Sequence, residues 1–198
     1  MRRPRCDDTG QAFPVFITVV GGLLFLAFAY FAVGQASVNR NGAQTAADAA
    51  ALAVAHDARD QLAEMWVAEV QDPTKWQGIF DGDVAGLAPS CWRGEQLASR
   101  NEARVLSCIP EGTLGFTVEV ETLEPVGDSI VPGTEGKRSQ ASATAVIESQ
   151  CTVEFAGETA EDAVLPQLAC RDEQWDLDPK NLDDLPKADD LFNVHLAD

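Results

Sequence analysis

The chain has 198 residues, 45% of them hydrophobic, with 14 Lys and Arg against 32 Asp and Glu for a formal charge of −18. That length holds one ordinary domain plus an anchor, and that charge excludes a nucleic-acid partner, whose phosphates are bound by cationic side chains that displace counterions. No GxSxG, HExxH or P-loop pattern occurs, and His56 and His195 stand far apart, so the chain reads as a non-enzyme with neither cofactor nor metal.

The first predicted unit, residues 1–12, is a short basic leader carrying Arg2, Arg3 and Arg5. It is followed by FPVFITVVGGLLFLAFAYFAV, 21 uncharged residues from Phe13 to Val33. At 1.5 Å per residue this covers a hydrocarbon core of about 30 Å, so residues 13–34 are predicted to form a transmembrane helix. A cleavable secretory signal shares the basic start, but its apolar core spans only about 7 to 15 residues and ends in a small-residue cleavage site. The arginines on the N-terminal side place that terminus in the cytoplasm and the acidic body outside. Pro14 falls in the first turn, where a missing N–H costs little. Gly21 and Gly22 either let a neighbouring helix come close or are simply tolerated in lipid.

Helical character continues through residues 35–71, with alanine, the best helix former, dominating the middle. Phe13 to Gln71 therefore reads as one possible helix, ended by Asp72-Pro73 because the residue before proline is pushed out of the α region. Ala43, Ala46, Ala47, Ala50 and Ala53 recur at three- and four-residue spacing and make a smooth stripe. The stripe suits tight packing on a partner helix, or it covers the chain's own domain. The sequence leaves both open.

Residues 72–170 are expected to form a small α+β body. Pro73 to Ser90 reads as loop, Glu95 to Leu106 as a short helix, and Leu114 to Thr122 as a half-buried strand from its strict alternation. A second strand run spans Ser142 to Phe155, with Pro125 to Lys137 as a long Gly/Pro-rich connection. The two strands are expected to pair as an antiparallel ribbon against the helix. Residues 171–198 read as an acidic, proline-punctuated tail whose Leu191, Phe192, Val194 and Leu196 are apolar enough to dock on the body.

Cys6 precedes the apolar run and Cys91, Cys108, Cys151 and Cys170 follow it, so a spanning helix separates one cysteine from four. Outside the cytosol an even set usually pairs. The local pairings Cys91 with Cys108 and Cys151 with Cys170 would each close a loop of about 17 to 20 residues and contribute roughly 3 kcal/mol. Four reduced, buried thiols are the alternative.

The junction Arg40-Asn41-Gly42-Ala43-Gln44-Thr45-Ala46-Ala47-Asp48-Ala49-Ala50-Ala51-Leu52-Ala53 resembles the TadE/TadG-like family of tight-adherence (Flp) pilus assembly proteins. Asp8-Thr9-Gly10-Gln11-Ala12 stands where that family carries its leader and glycine, and the resemblance runs from Asp8 to Ala55. It implies a minor pilin or pseudopilin-like component of a bacterial cell-surface pilus or secretion apparatus, single-pass, whose partners are the membrane and other Tad/Flp components. Pilin-type substrates resembling these place a glutamate where this chain has Val15, which removes a peptidase recognition feature and a charged assembly contact. The other class of function left open is an anchored cell-surface binding module with no pilus role.

Overall fold

The computed structural model describes residues 12–125, 136–154, 165–171, 173–178 and 185–197. The basic leader, Gly10 and Cys6 lie outside the described residues, as do most of the Pro125–Lys137 connection and Phe155.

Helix α1 runs without interruption from Ala12 to Ala68, 57 residues, or roughly 85 Å. Gly42 does not break it, although Ser37-Val38-Asn39 and Asn41 before it are weak helix formers, because the alanines that follow are strong ones and are held by tertiary packing. Past Ala68 the chain turns through a 3-10 segment, Pro73–Lys75, into the short helix α2, Trp76–Phe80. Helix α3 follows at Cys91–Arg100, and strand β1 at Ala103–Glu111. The helix expected over Glu95 to Leu106 is thus displaced, starting four residues earlier and giving way to a strand at its end. Strand β1 hides its alternation because an extra residue between Val105 and Ser107 shifts the register. Leu106 stands in that bulge, 43% exposed, and breaks the period of two that betrays β-structure.

Strands β2 (Gly115–Thr122) and β3 (Gln140–Ser149) pair antiparallel, with Phe116 opposite Ala145 and Val120 opposite Ala141. The second expected strand is interrupted at Gln150, beyond which β4 (Cys151–Glu154) belongs to another sheet with β5 (Gln167–Cys170) and β6 (Glu173–Trp175). A single turn, α4 (Ala188–Leu191), leads to β7 (Phe192–Leu196), which returns to pair with β3. The main sheet therefore has the order β1-β2-β3-β7. The segment from Arg171 onward supplies β6, α4 and β7, with Leu191 and Phe192 fully buried.

One face of this sheet lies on α1. Phe116, Val118 and Val120 from β2 and Ala143, Ala145 and Ile147 from β3 are buried there with Ala46, Ala50, Val54, Ala58 and Leu62 of the helix. The other face is polar: Thr117 bonds Thr144 at 2.8 Å, Gln140 donates to Glu121 at 3.1 Å and Ser107 to Glu119 at 3.3 Å. Inside-out alternation of this kind is what a one-sided antiparallel sheet requires. Disulfides join Cys91 to Cys108 and Cys151 to Cys170. The first ties α3 to β1, and the second links directly opposed residues of β4 and β5.

Two tryptophans close the far end of α1. Trp66 and Trp76 are both fully buried, their ring centroids 5.6 Å apart, and Trp76 donates its indole N–H to the Glu69 carbonyl at 3.0 Å. Beside them Phe80 meets Phe192 at 5.7 Å. Gly82 completes the return: its φ is +69°, and a Cβ there would stand 2.5 Å from Leu114, so both its backbone and its space demand glycine.

Candidate membrane and assembly interface

Helix α1 divides into two halves with different surroundings. Phe13–Phe31 has a mean hydropathy of 2.2, none of it is buried in the body, and it is long and apolar enough to cross a membrane. Its large side chains are exposed, Phe16, Leu24 and Phe28 each by more than half. Thr18 is satisfied within the helix, its hydroxyl donating to the carbonyls of Val15 and Pro14 at 2.9 and 3.1 Å. Ser37 does the same with Val33 at 3.1 Å. Internal satisfaction of this kind is what polar side chains need where water is absent. Around Gly21, Gly22 and Gly34 an added Cβ would meet nothing within 4 Å among the described residues, which leaves room there for a neighbour.

The second half is a core element. Ala43, Ala46, Ala47 and Ala50 are wholly buried, and Ala53 is half-buried. The alanine stripe therefore lies against the chain's own sheet and α3. Small side chains are needed there because backbones approach closely: a Cβ on Gly94 of α3 would stand 3.0 Å from Val54 Cγ2 and 3.5 Å from the Ala50 carbonyl oxygen. We expect Gly94→Leu to overpack this crossing and destabilise the body by about 1–3 kcal/mol. Thermal unfolding of the full chain in detergent, compared with Glu95→Leu on an exposed position of the same helix, measures it.

A polar cluster that no sequence pattern announced pins α1 to the start of α3. The Asp57 carboxylate accepts from Gln61 Nε2 at 3.1 Å, from Arg93 Nε at 3.1 Å and from the hydroxyl of buried Ser90. Burial by itself would raise the Asp57 pKa, but the hydrogen bonds from Ser90, Arg93 and Gln61 together prevail and hold it below the ordinary carboxylate value. The three partners lie 4 to 36 residues away, which is why composition and spacing did not reveal them. A depressed pKa in the folded state stabilises the body above the unfolded value, and that stability is lost as pH falls through the folded value. Asp57→Asn should therefore cost about 1–3 kcal/mol at pH 7 and flatten the loss of stability below about pH 4. Unfolding midpoints between pH 2 and 7 provide the check.

The neighbouring His56 is exposed on the helix, and its pKa is lowered by partial burial and by Arg59, with Asp60 opposing. Among the described residues no group of three or more His, Cys, Asp or Glu is placed to hold a metal ion.

Exposed apolar rod, buried alanine segment and Asp57, the helix residue of the polar pin, all fall within one stretch of chain. Residues 10–58 match the Tad family model, Flp pilus-assembly TadE/G-like. The TadE/G-like region thus covers the N-terminal quarter of the chain and stops one residue past Asp57. It combines the membrane-length segment with the part of α1 on which the body is built, so its alanines have a packing reason within this chain. No curated protein and no solved structure matches the chain.

Proposed function

We propose that the chain is a membrane-anchored structural component, minor pilin or pseudopilin-like, of a Tad/Flp-type pilus or related secretion apparatus. Its N-terminus lies in the cytoplasm and its disulfide-bonded body outside. The observation that carries this reading is the TadE/G-like match over residues 10–58, on a helix whose first half is left as an uncovered apolar rod. Such a rod can pack laterally among other membrane helices, with the glycines at 21, 22 and 34 allowing close approach. Ala43, Ala46, Ala47 and Ala50 act in this scheme from inside, by joining the rod rigidly to the body.

The test is photocrosslinking in the native membrane from probes at Leu24 and Gly34, with deletion of the chain in parallel. Crosslinks to other Tad components together with impaired pilus assembly are expected. Absence of both would overturn the proposal. A tethered binding module is the second reading, favoured by a core that closes within one chain and takes nothing from Phe13–Phe31. Exchanging Phe13–Phe31 for an unrelated membrane helix separates the two, since the binding module keeps its function and the assembly component loses it.

A further inference from the structure

The main sheet has two edge strands, β1 and β7, and they are finished differently. Strand β1 carries the bulge between Val105 and Ser107, Pro110 with no N–H to offer, the charges of Arg104 and Glu111, and the Cys91–Cys108 bridge to α3. Features of this kind blunt an edge against further pairing. Strand β7, Phe192-Asn193-Val194-His195-Leu196, has no carboxylate, lysine, arginine or proline, and its register with β3 is unbroken. Two bonds at its ends fix which way its backbone points. Gln150 donates its N–H to the Leu191 carbonyl at 2.9 Å, and Ala197 donates to the Thr144 carbonyl at 2.8 Å. By the alternation between them Asn193 and His195 bond β3, while Val194 and Leu196 turn their N–H and C=O groups outward. Among the described residues no other backbone group bonds them there.

The two sides of this open edge differ in chemistry. On the α1 side Val194, Leu196 and Leu52 are half-buried, and Leu196 and Ala197 share a recess with Gln44 and Asp48. On the outer side a cavity of about 490 Å³ is lined by His195, Val146 and Phe80 together with the carboxylates Asp81 and Glu148. Asp81 accepts from Gln77 at 3.0 Å, and Asp48 from Gln44 at 2.7 Å, so neither is neutralised by a cation. Asp189 and Asp190 stand in α4 at the head of the strand beside Lys187. Arg171, whose N–H bonds Gln150, and Glu173 lie beyond it. The carboxylates around the edge therefore outnumber its two cations. Arg59 and Lys75 do not change that balance, because Asp60 takes the first and Glu69 with Asp72 the second.

We propose that the open edge of β7 takes up a basic, extended segment of another protein as a fifth strand, with a lysine or arginine of that segment in the cavity beside Asp81 and Glu148. A second backbone is what matches a row of outward N–H and C=O groups. The stem of a long cationic side chain suits Phe80 and Val146, and its head suits the carboxylates. A second copy of this chain does not fit. It would bring the same carboxylates to the edge in a chain of net −18. An edge of five residues is about 17 Å long, far short of what buries the roughly 1,200 Å² that holds two folded proteins together. Leu196 lies toward the membrane half of α1 and Phe192 meets Phe80 at its far end, so antiparallel pairing of β7 with β7 would point the two Phe13–Phe31 segments in opposite directions. Pairing β7 with a neighbour's β1 keeps them aligned but meets the blunted edge. The proposal does not depend on a pilus role.

The experiment places single copies of the full chain in lipid nanodiscs and follows amide hydrogen exchange residue by residue. Three short peptides serve as probes, one alternating lysine with valine, one glutamate with valine and one lysine with proline. Without peptide, Val194 and Leu196 are expected to exchange at least tenfold faster than Asn193 and His195. The lysine–valine peptide should slow Val194 and Leu196 at least tenfold and leave Cys108, on the outer side of β1, unchanged. The glutamate peptide lacks the charge and the proline peptide lacks the donors, so neither should slow them. Leu196→Pro removes an outward N–H that the fold does not use and should weaken the lysine–valine peptide at least tenfold. Glu148→Gln, on an exposed position that leaves the fold intact, should weaken it at least threefold. Slow exchange at Val194 and Leu196 without peptide would mean that the chain covers its own edge. Slowing only when two copies share a disc would give the edge to a second copy. Either result overturns the proposal, as does equal slowing by the proline or glutamate peptide, no slowing by any peptide, or a Glu148→Gln chain that binds like the parent.

Discussion

Trp66→Ala should lower the stability of the body by about 3–5 kcal/mol, the range for removing a large buried aromatic. Trp66 is fully buried, leans on Trp76 at 5.6 Å and belongs to the cluster through which residues 70–80 fold back onto the sheet. Its removal takes away both the area and the partner that orients Trp76. Its indole N–H is buried with no hydrogen-bond partner among the described residues, so Trp66→Phe, which keeps a ring and deletes that donor, should cost far less. Chemical unfolding followed by tryptophan fluorescence would compare the two, and equal losses would show that the ring contact is not the stabilising element.

Reducing both disulfides should have a somewhat larger effect, about 6 kcal/mol in all. The bonds span 17 and 19 residues, and each is worth about 3 kcal/mol on the chain-entropy account. The losses should differ in character. Cys151–Cys170 joins opposed positions in a three-stranded sheet of very short strands, so Cys151→Ser with Cys170→Ser should free that sheet while the main sheet persists. Cys91–Cys108 is backed by the packing of α3 on α1, and its removal should loosen α3 without detaching it. Hydrogen exchange on the two double variants reads out each region separately. Loss of protection throughout the main sheet after the Cys151–Cys170 deletion would contradict this division.

Long-period features were legible in the sequence, and features set by distant partners were not. The helix of 57 residues announced itself by an uncharged run followed by alanines, and β2 by alternation through Phe116, Val118 and Val120. The TadE/TadG-like resemblance rested on the same helix. Strand β1 was read as the end of a helix because its bulge at Leu106 cancels the alternation and because an edge strand with one exposed flank has less apolar patterning to show. Phe192, Val194 and Leu196 were seen as apolar, but nothing local says that they form a strand beside β3, 43 to 51 residues earlier in their pairings. The Asp57 cluster was invisible for the same reason. The alanine stripe was legible as a packing surface, yet its partner could be named only once β3, with its own Ala143 and Ala145, was seen to lie on it.

The place of β7 in the sheet also fixes an order of events during synthesis. The main sheet is completed by residues 192–196, which are made roughly 160 residues after the apolar rod at Phe13–Phe31. At roughly 5–20 residues per second, the interval between the two is on the order of 10–40 s. Throughout it the edge of β3 and the side of Ile147 that Val194 will face remain open to whatever lies beside them. The body thus carries an unfinished edge through this interval, and a chain interrupted shortly before Phe192 would keep the edge permanently exposed.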